Sequence, residues 1–99
     1  MQALAVANGI RAYRAGLRKD LKRLKRDDGA YYCSIVIEDN APEVRTMPVE
    51  KLLDMVRYMT RARSARIFVQ AMVSSHRTIG GLTPRQREAL VKVLREYGQ

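Results

Sequence analysis

Apolar residues recur at intervals of three and four near the start of the chain: Leu4, Ala7, Ile10, Tyr13, Leu17, Leu21 and Leu24. A helix turns once every 3.6 residues, so this spacing lines them up on one face and predicts a helix from about Ala3 to Lys25. Asp27, Asp28 and Gly29 break the pattern. Tyr31 to Ile37 reads two ways. Its Tyr, Ile and Val favour a strand, whereas Tyr32, Ile35 and Val36 fit a short helical face. No other segment offers a strand to pair with, and an isolated strand is not stable, so a helix is expected. Asp39 to Pro42 reads as a loop.

Further along, Val49, Leu52, Leu53 and Val56 predict a helix from Met47 to about Tyr58. Thr46 is its candidate N-cap, and Pro48 falls in the first turn, where a missing N–H costs nothing. Thr60 offers a second N-cap, followed by a face of Ala65, Phe68, Val69 and Met72. Two or three residues between these helices predict a tight hairpin or a relative of the helix–turn–helix. Ser74 to Leu82 reads as a loop with Gly80 and Gly81 at its tip. Thr83, Pro84, Arg85 and Gln86 form a helix start in which Thr83 caps the Gln86 amide and Gln86 reaches back. Ala89, Leu90, Val93, Leu94 and Tyr97 continue the last helix, and Gly98 suits its end. The expected fold class is all-α.

Composition then narrows the function. A chain of 99 residues makes one small domain. No apolar run is long enough to cross a membrane, and Met1 to Asn8 does not read as a secretory signal, so a cytoplasmic protein is expected. A single cysteine excludes an internal disulfide and a multi-cysteine zinc site, and a single histidine excludes a multi-histidine metal site. Neither a metal nor a cofactor is expected, and so sparse a set of histidine and carboxylates does not suggest an enzyme. Cys33 reads as a buried small hydrophobe, the methionines as core filler, and Tyr31 and Tyr32 as core before base-stacking residues. The charge is lopsided: 19 Lys plus Arg against 10 Asp plus Glu, net +9, with arginine supplying most of the cations. Such a balance points to an anionic partner, of which nucleic acid is the commonest.

Three groups of residues carry that chemistry. Between Arg11 and Arg26 the first helix holds Arg11, Arg14, Arg18, Lys22 and Arg26 among further cations, with Asp20 as the one acid. A face of one sign repels itself unless an anion covers it. The second group is Thr60, Arg61, Arg63 and Arg66. It sets three guanidinium groups on the first two turns of a capped helix, where free amides and the positive dipole end already favour an anion. A phosphate docked there would offset the cost of like charges; ion pairs with Glu50 or Asp54 are the alternative. The third group is His76, Arg77, Thr78 and Gly81, followed by Arg85 and Arg87 at the next helix start. Glycines there permit a sharp turn or a close backbone approach to a ligand.

The run from Met47 to Gly98 resembles the actinobacterial integration host factor family, the mycobacterial and streptomycete nucleoid proteins. Met47, Val49, Leu52 and Leu53 match the start of the family pattern, and Gly81, Leu82, Arg85, Gln86, Arg87, Ala89, Leu90, Tyr97 and Gly98 match its end in order. The resemblance implies a long basic N-terminal helix, residues 1–28, leading into a compact helical DNA-binding domain, residues 29–99. That domain would hold a helix-two-turns-helix motif over about 47–74 and a C-terminal helix over about 83–97. It implies sequence-tolerant binding to the backbone of double-stranded DNA at two places, the turn from Tyr58 to Arg63 and the segment from His76 to Arg87. It further implies a monomer in the nucleoid that shapes or compacts DNA and assists a recombinase. Arg57 and Thr60 stand where the family turn carries Pro and Gly. Of three arginines usual in the second segment Arg77 remains, with Thr78 and Gly80 at the others, which suits a divergent or phage-encoded member. The rival expectations are an RNA- or ribosome-binding protein and a phage-type module binding an acidic host protein.

Overall fold

The computed structural model describes residues 2–97, with side chains from Ala7 onward. The Leu4 side chain and Gly98, both singled out above, lie outside the described residues. Among the described residues five α-helices follow one another: α1 (Gln2–Arg23), α2 (Arg26–Asp39), α3 (Val49–Asp54), α4 (Arg61–Ala71) and α5 (Pro84–Glu96), with a 3-10 turn at Pro42–Val44 between α2 and α3. The fold is all-α. Among the described residues the one β-type feature is an isolated bridge between Pro48 and Thr78.

α2 lies along α5, which also packs on α4, and α1 rests on the 3-10 turn. Leu17 and Leu21 of α1 enter the same core as Cys33 and Ile37 of α2, Leu52 and Leu53 of α3, Ile67 of α4, and Leu90 and Leu94 of α5. The break after α1 comes at Leu24 and Lys25, earlier than the sequence predicts. Asp27, Asp28 and Gly29 form the first turn of α2, where carboxylates complement the helix dipole. Gly29 is there for space: a Cβ on it would stand 2.9 Å from Val56 Cγ1. Tyr31 to Ile37 is helical, but its buried face is Ala30, Cys33, Val36 and Ile37, and Tyr31 and Ile35 are exposed.

α3 is shorter than predicted. Thr46 is not its cap; the Thr46 hydroxyl accepts a hydrogen bond from Arg14 Nη2 at 2.9 Å. Met47 and Pro48 run extended against the 77–79 loop, with Ile79 N donating to Met47 O and Val49 N to Arg77 O, both at 2.9 Å. The helix then closes early into successive i→i−3 turns, Met55 and Val56 donating to Leu52 and Leu53, and Met59 to Val56. Tyr58 takes a left-handed φ of 63° within them. Residues 55–60, a longer link than expected, therefore join α3 to α4.

α4 starts at Thr60 as predicted, its Oγ1 accepting from the Arg63 amide at 3.2 Å. Its buried face, however, is Ser64, Ile67, Phe68 and Ala71, and Ala65, Val69 and Met72 point outward. Phe68 suits either helical phase. Burial of Ser64 is tolerated because its hydroxyl donates to Arg61 O at 3.1 Å. Met72 in turn closes the helix in the left-handed conformation at φ 57°, with Val73 N donating to Phe68 O, a Schellman end. α5 opens with the predicted capping box: Gln86 N donates to Thr83 Oγ1 at 3.1 Å and Thr83 N to Gln86 Oε1 at 3.0 Å.

Candidate nucleic-acid interface

On α1 the apolar stripe turns Leu17 and Leu21 inward, which leaves Arg11, Arg18, Lys19, Lys22 and Arg23 in solvent. Arg18 and Lys22 border a shallow groove with Lys51, Asp54 and Met55 of the α3 region. Lys51 thus joins the basic face of α1. Sequence gave no signal for this, because it depends on how α3 docks. Two cations of the predicted set are engaged otherwise. Arg14 is half-buried and ties α1 to the 3-10 turn, donating from Nε to Glu43 O at 3.2 Å as well as to Thr46. Arg26 is also half-buried, with its guanidinium 5.8 Å from the centre of the Tyr97 ring and 3.9 Å from Asp27.

At α4 the cap at Thr60 fixes the helix start, and the three arginines follow on its first two turns. Arg61 and Arg66 are exposed and Arg63 half-buried. α4 has no acidic residue in its first turn. Among the described residues the ion pairs are Arg26–Asp27 and Arg95–Glu38. The alternative of pairing with Glu50 or Asp54 is therefore not realised for Arg61, Arg63 or Arg66, although Glu50 and Arg61 border one groove. Ser75 borders it too, so the start of the 74–82 loop comes beside the N-terminus of α4. Arg63 and Arg66 meet Val93 and Glu96 of α5, and Tyr97 at its C-cap, across a second groove.

The loop group divides. His76 and Arg85 are exposed. Arg77 is exposed as well, with Nη1 3.4 Å from Gly81 O. Thr78 and Gly81 serve the loop itself: Gly81 N donates to Thr78 Oγ1 at 3.0 Å, and a Cβ on Gly81 would stand 2.7 Å from that oxygen. Gly80 lets the chain pass close to Arg45, donating to its carbonyl at 2.9 Å. The backbone approach foreseen for these glycines is thus made within the chain. Arg87 reaches inward, donating from Nη1 to Ile37 O at 2.6 Å and from Nη2 to Ile79 O at 2.9 Å and Leu82 O at 3.5 Å. Burial, and then the charge of Arg45, lower its pKa. These bonds join α2, the loop and α5, so Arg87 is a structural clamp.

Tyr32 is half-buried, donating to Asp20 at 2.9 Å; burial and that bond push its pKa up to about 12. Tyr31 is exposed beneath the Arg95 guanidinium, at 5.5 Å. Tyr58 stands out from the link between α3 and α4, 67% exposed, with Arg57 over its ring at 4.9 Å. Cys33 is fully buried, as expected, which raises its pKa. Met72, 87% exposed, is not core filler. A groove of about 660 Å³ between α2 and α5 mixes Glu38, Glu88 and Glu96 with Arg87, Lys92 and Arg95, and so offers no field of one sign. No helix among the described residues is long and apolar enough to cross a membrane.

Comparison with known protein families, with curated proteins and with solved structures gives no match to this chain.

Proposed function

We propose that this chain is a non-enzymatic, largely sequence-tolerant duplex DNA-binding protein that contacts the phosphate backbone and shapes or compacts DNA. The observation that carries this reading is the set of exposed cations without ion-pair partners among the described residues: Arg11, Arg18 and Lys22 on α1, Lys51 on α3, Arg61 and Arg66 on α4. Solvent alone leaves their mutual repulsion in place, and a phosphate backbone relieves it. Arg61 stands at a capped helix start whose dipole already opposes a cation, so an anion at that point gains from both.

The reading of the α3–α4 pair as a helix-two-turns-helix is supported by the successive i→i−3 turns over residues 52–59. With the C-terminal motif, this favours an integration host factor-like protein of the nucleoid, acting as a monomer and assisting recombination. Mobility-shift titrations over a salt series test the core of the reading. The logarithm of affinity is expected to fall linearly with the logarithm of salt concentration, by roughly 0.9 per phosphate neutralised, for about four to eight phosphates. A flat salt response overturns it. Competition with structured RNA is expected to leave the DNA complex largely intact; preferential transfer to RNA favours the RNA-binding alternative.

A further inference from the structure

The outward face of α4 is open to solvent, bordered on one side by the groove that Arg61 and Ala65 share with Glu50 and on the other by the groove that Arg66 shares with Glu96. Arg61, Ala62, Ala65, Arg66 and Val69 are exposed along it, Val69 at 75%, and Met72 continues it at the C-cap with 87% exposure. At 3.6 residues per turn these positions form one strip, opposite the buried Ser64, Ile67, Phe68 and Ala71. Arginines stand towards its N-terminal end, small residues in its first half, and larger apolar side chains at its C-terminal end. α4 holds no acidic residue, and neither arginine has an ion-pair partner among the described residues.

A second copy of a chain carrying net +9 would be repelled by such a strip. The major groove of B-DNA matches it in charge and in shape. Phosphates border the groove, guanine O6 and N7 accept from guanidinium groups, and the thymine 5-methyl is the apolar feature that Ala and similar side chains contact. Ala62 and Ala65 let the helix axis come close. The 11 residues of α4 span about 16 Å, and a groove about 12 Å wide admits a helix of this diameter. We propose that α4 enters the major groove on its Arg61–Met72 face, with its arginines towards the bordering phosphates, and reads thymine methyl groups, adding a moderate sequence preference to backbone binding. The proposal rests on the DNA-binding reading above. It also favours DNA over RNA duplexes, whose deep, narrow major groove side chains do not read.

The test starts from short duplexes enriched by the protein from a random pool. Affinity is measured for an enriched duplex, for the same duplex with deoxyuridine in place of thymidine, and for a shuffled duplex. The protein is used unaltered and as Val69→Ser combined with Met72→Ser; both positions are exposed, and thermal melting checks the fold. The unaltered protein is expected to prefer the enriched duplex over the shuffled one by about tenfold. Deoxyuridine, which removes a methyl found only in the major groove, and the double substitution should each erase most of that preference, bringing the enriched duplex close to the shuffled one measured with the same protein. Equal affinity for enriched and shuffled duplexes overturns groove reading and leaves backbone binding standing. So does a preference that survives both changes. No binding to any duplex at low salt overturns the DNA-binding reading, and this proposal with it.

Discussion

Arg87 extends from α5 to the carbonyl oxygens of Ile37, Ile79 and Leu82, while Arg61 stands in solvent at the start of α4. Two arginines of one composition class therefore do opposite work, and substitution separates them. Arg87→Ala leaves inward-facing carbonyls without their charged donor, so stability is expected to fall by about 1.5–3 kcal/mol. DNA affinity of the folded fraction should change little. Arg61→Ala combined with Arg63→Ala should leave the melting temperature close to that of the parent and weaken DNA binding by about tenfold or more, since charge-assisted contacts are lost. Thermal melting and mobility shift on the same preparations check both. Unchanged affinity with lowered stability in the Arg61/Arg63 variant would reassign those residues to the fold.

At the scale of elements, the two well-capped helices are those that carry the basic groups on their first turns. α5 begins with a reciprocal box between Thr83 and Gln86, and α4 with Thr60 accepting from the Arg63 amide. The cap on α5 also holds the register of Arg87, one turn in. Thr83→Ala is expected to cost about 1 kcal/mol, which for a domain of this size lowers the melting temperature by about 4–8 °C. A denaturant or thermal melt measures it, and a change below a few tenths of a kcal/mol would mean that packing along α2 fixes the α5 start without the cap. α3, by contrast, is held by neighbours: its entry is hydrogen-bonded to the 77–79 loop. Its short length follows from that anchoring at one end and the tight turns at the other.

Over the whole molecule, which measures 45 × 30 × 20 Å, α1 places its charges along a helix anchored through Leu17 and Leu21. Arg18 and Lys22 share a groove with Lys51, with Asp54 as its one acid, so the patch is positive on balance. Arg18→Ala with Lys22→Ala removes two of its cations without touching the core. The expected outcome is a salt slope reduced by about 1.8, two phosphates at roughly 0.9 each, with an unchanged melting temperature. An unchanged slope places the DNA contact on α4 and the loop, away from α1.

Sequence by itself determined the helical class, the capped starts of α4 and α5, the apolar stripe of α1 and the excess of positive charge. Each is local or additive: side-chain spacing sets an amphipathic face, a Thr followed three residues on by Gln closes a cap, and charge sums regardless of fold. Tertiary structure decided what depends on neighbours far along the chain. Gly29 reads as a helix breaker, yet it lies inside α2, where Val56 packs in the space that a Cβ would take. Ala65, Val69 and Met72 repeat at helical spacing as Ile67 and Ala71 do, and only the docking of α4 on α5 and α3 selected which side is buried. Arg14 and Arg87 carry the same charge as Arg18 and Arg61, but their carbonyl partners come from segments distant in sequence. A guanidinium is free or engaged according to the acceptors that folding brings to it, and no spacing along the chain records them.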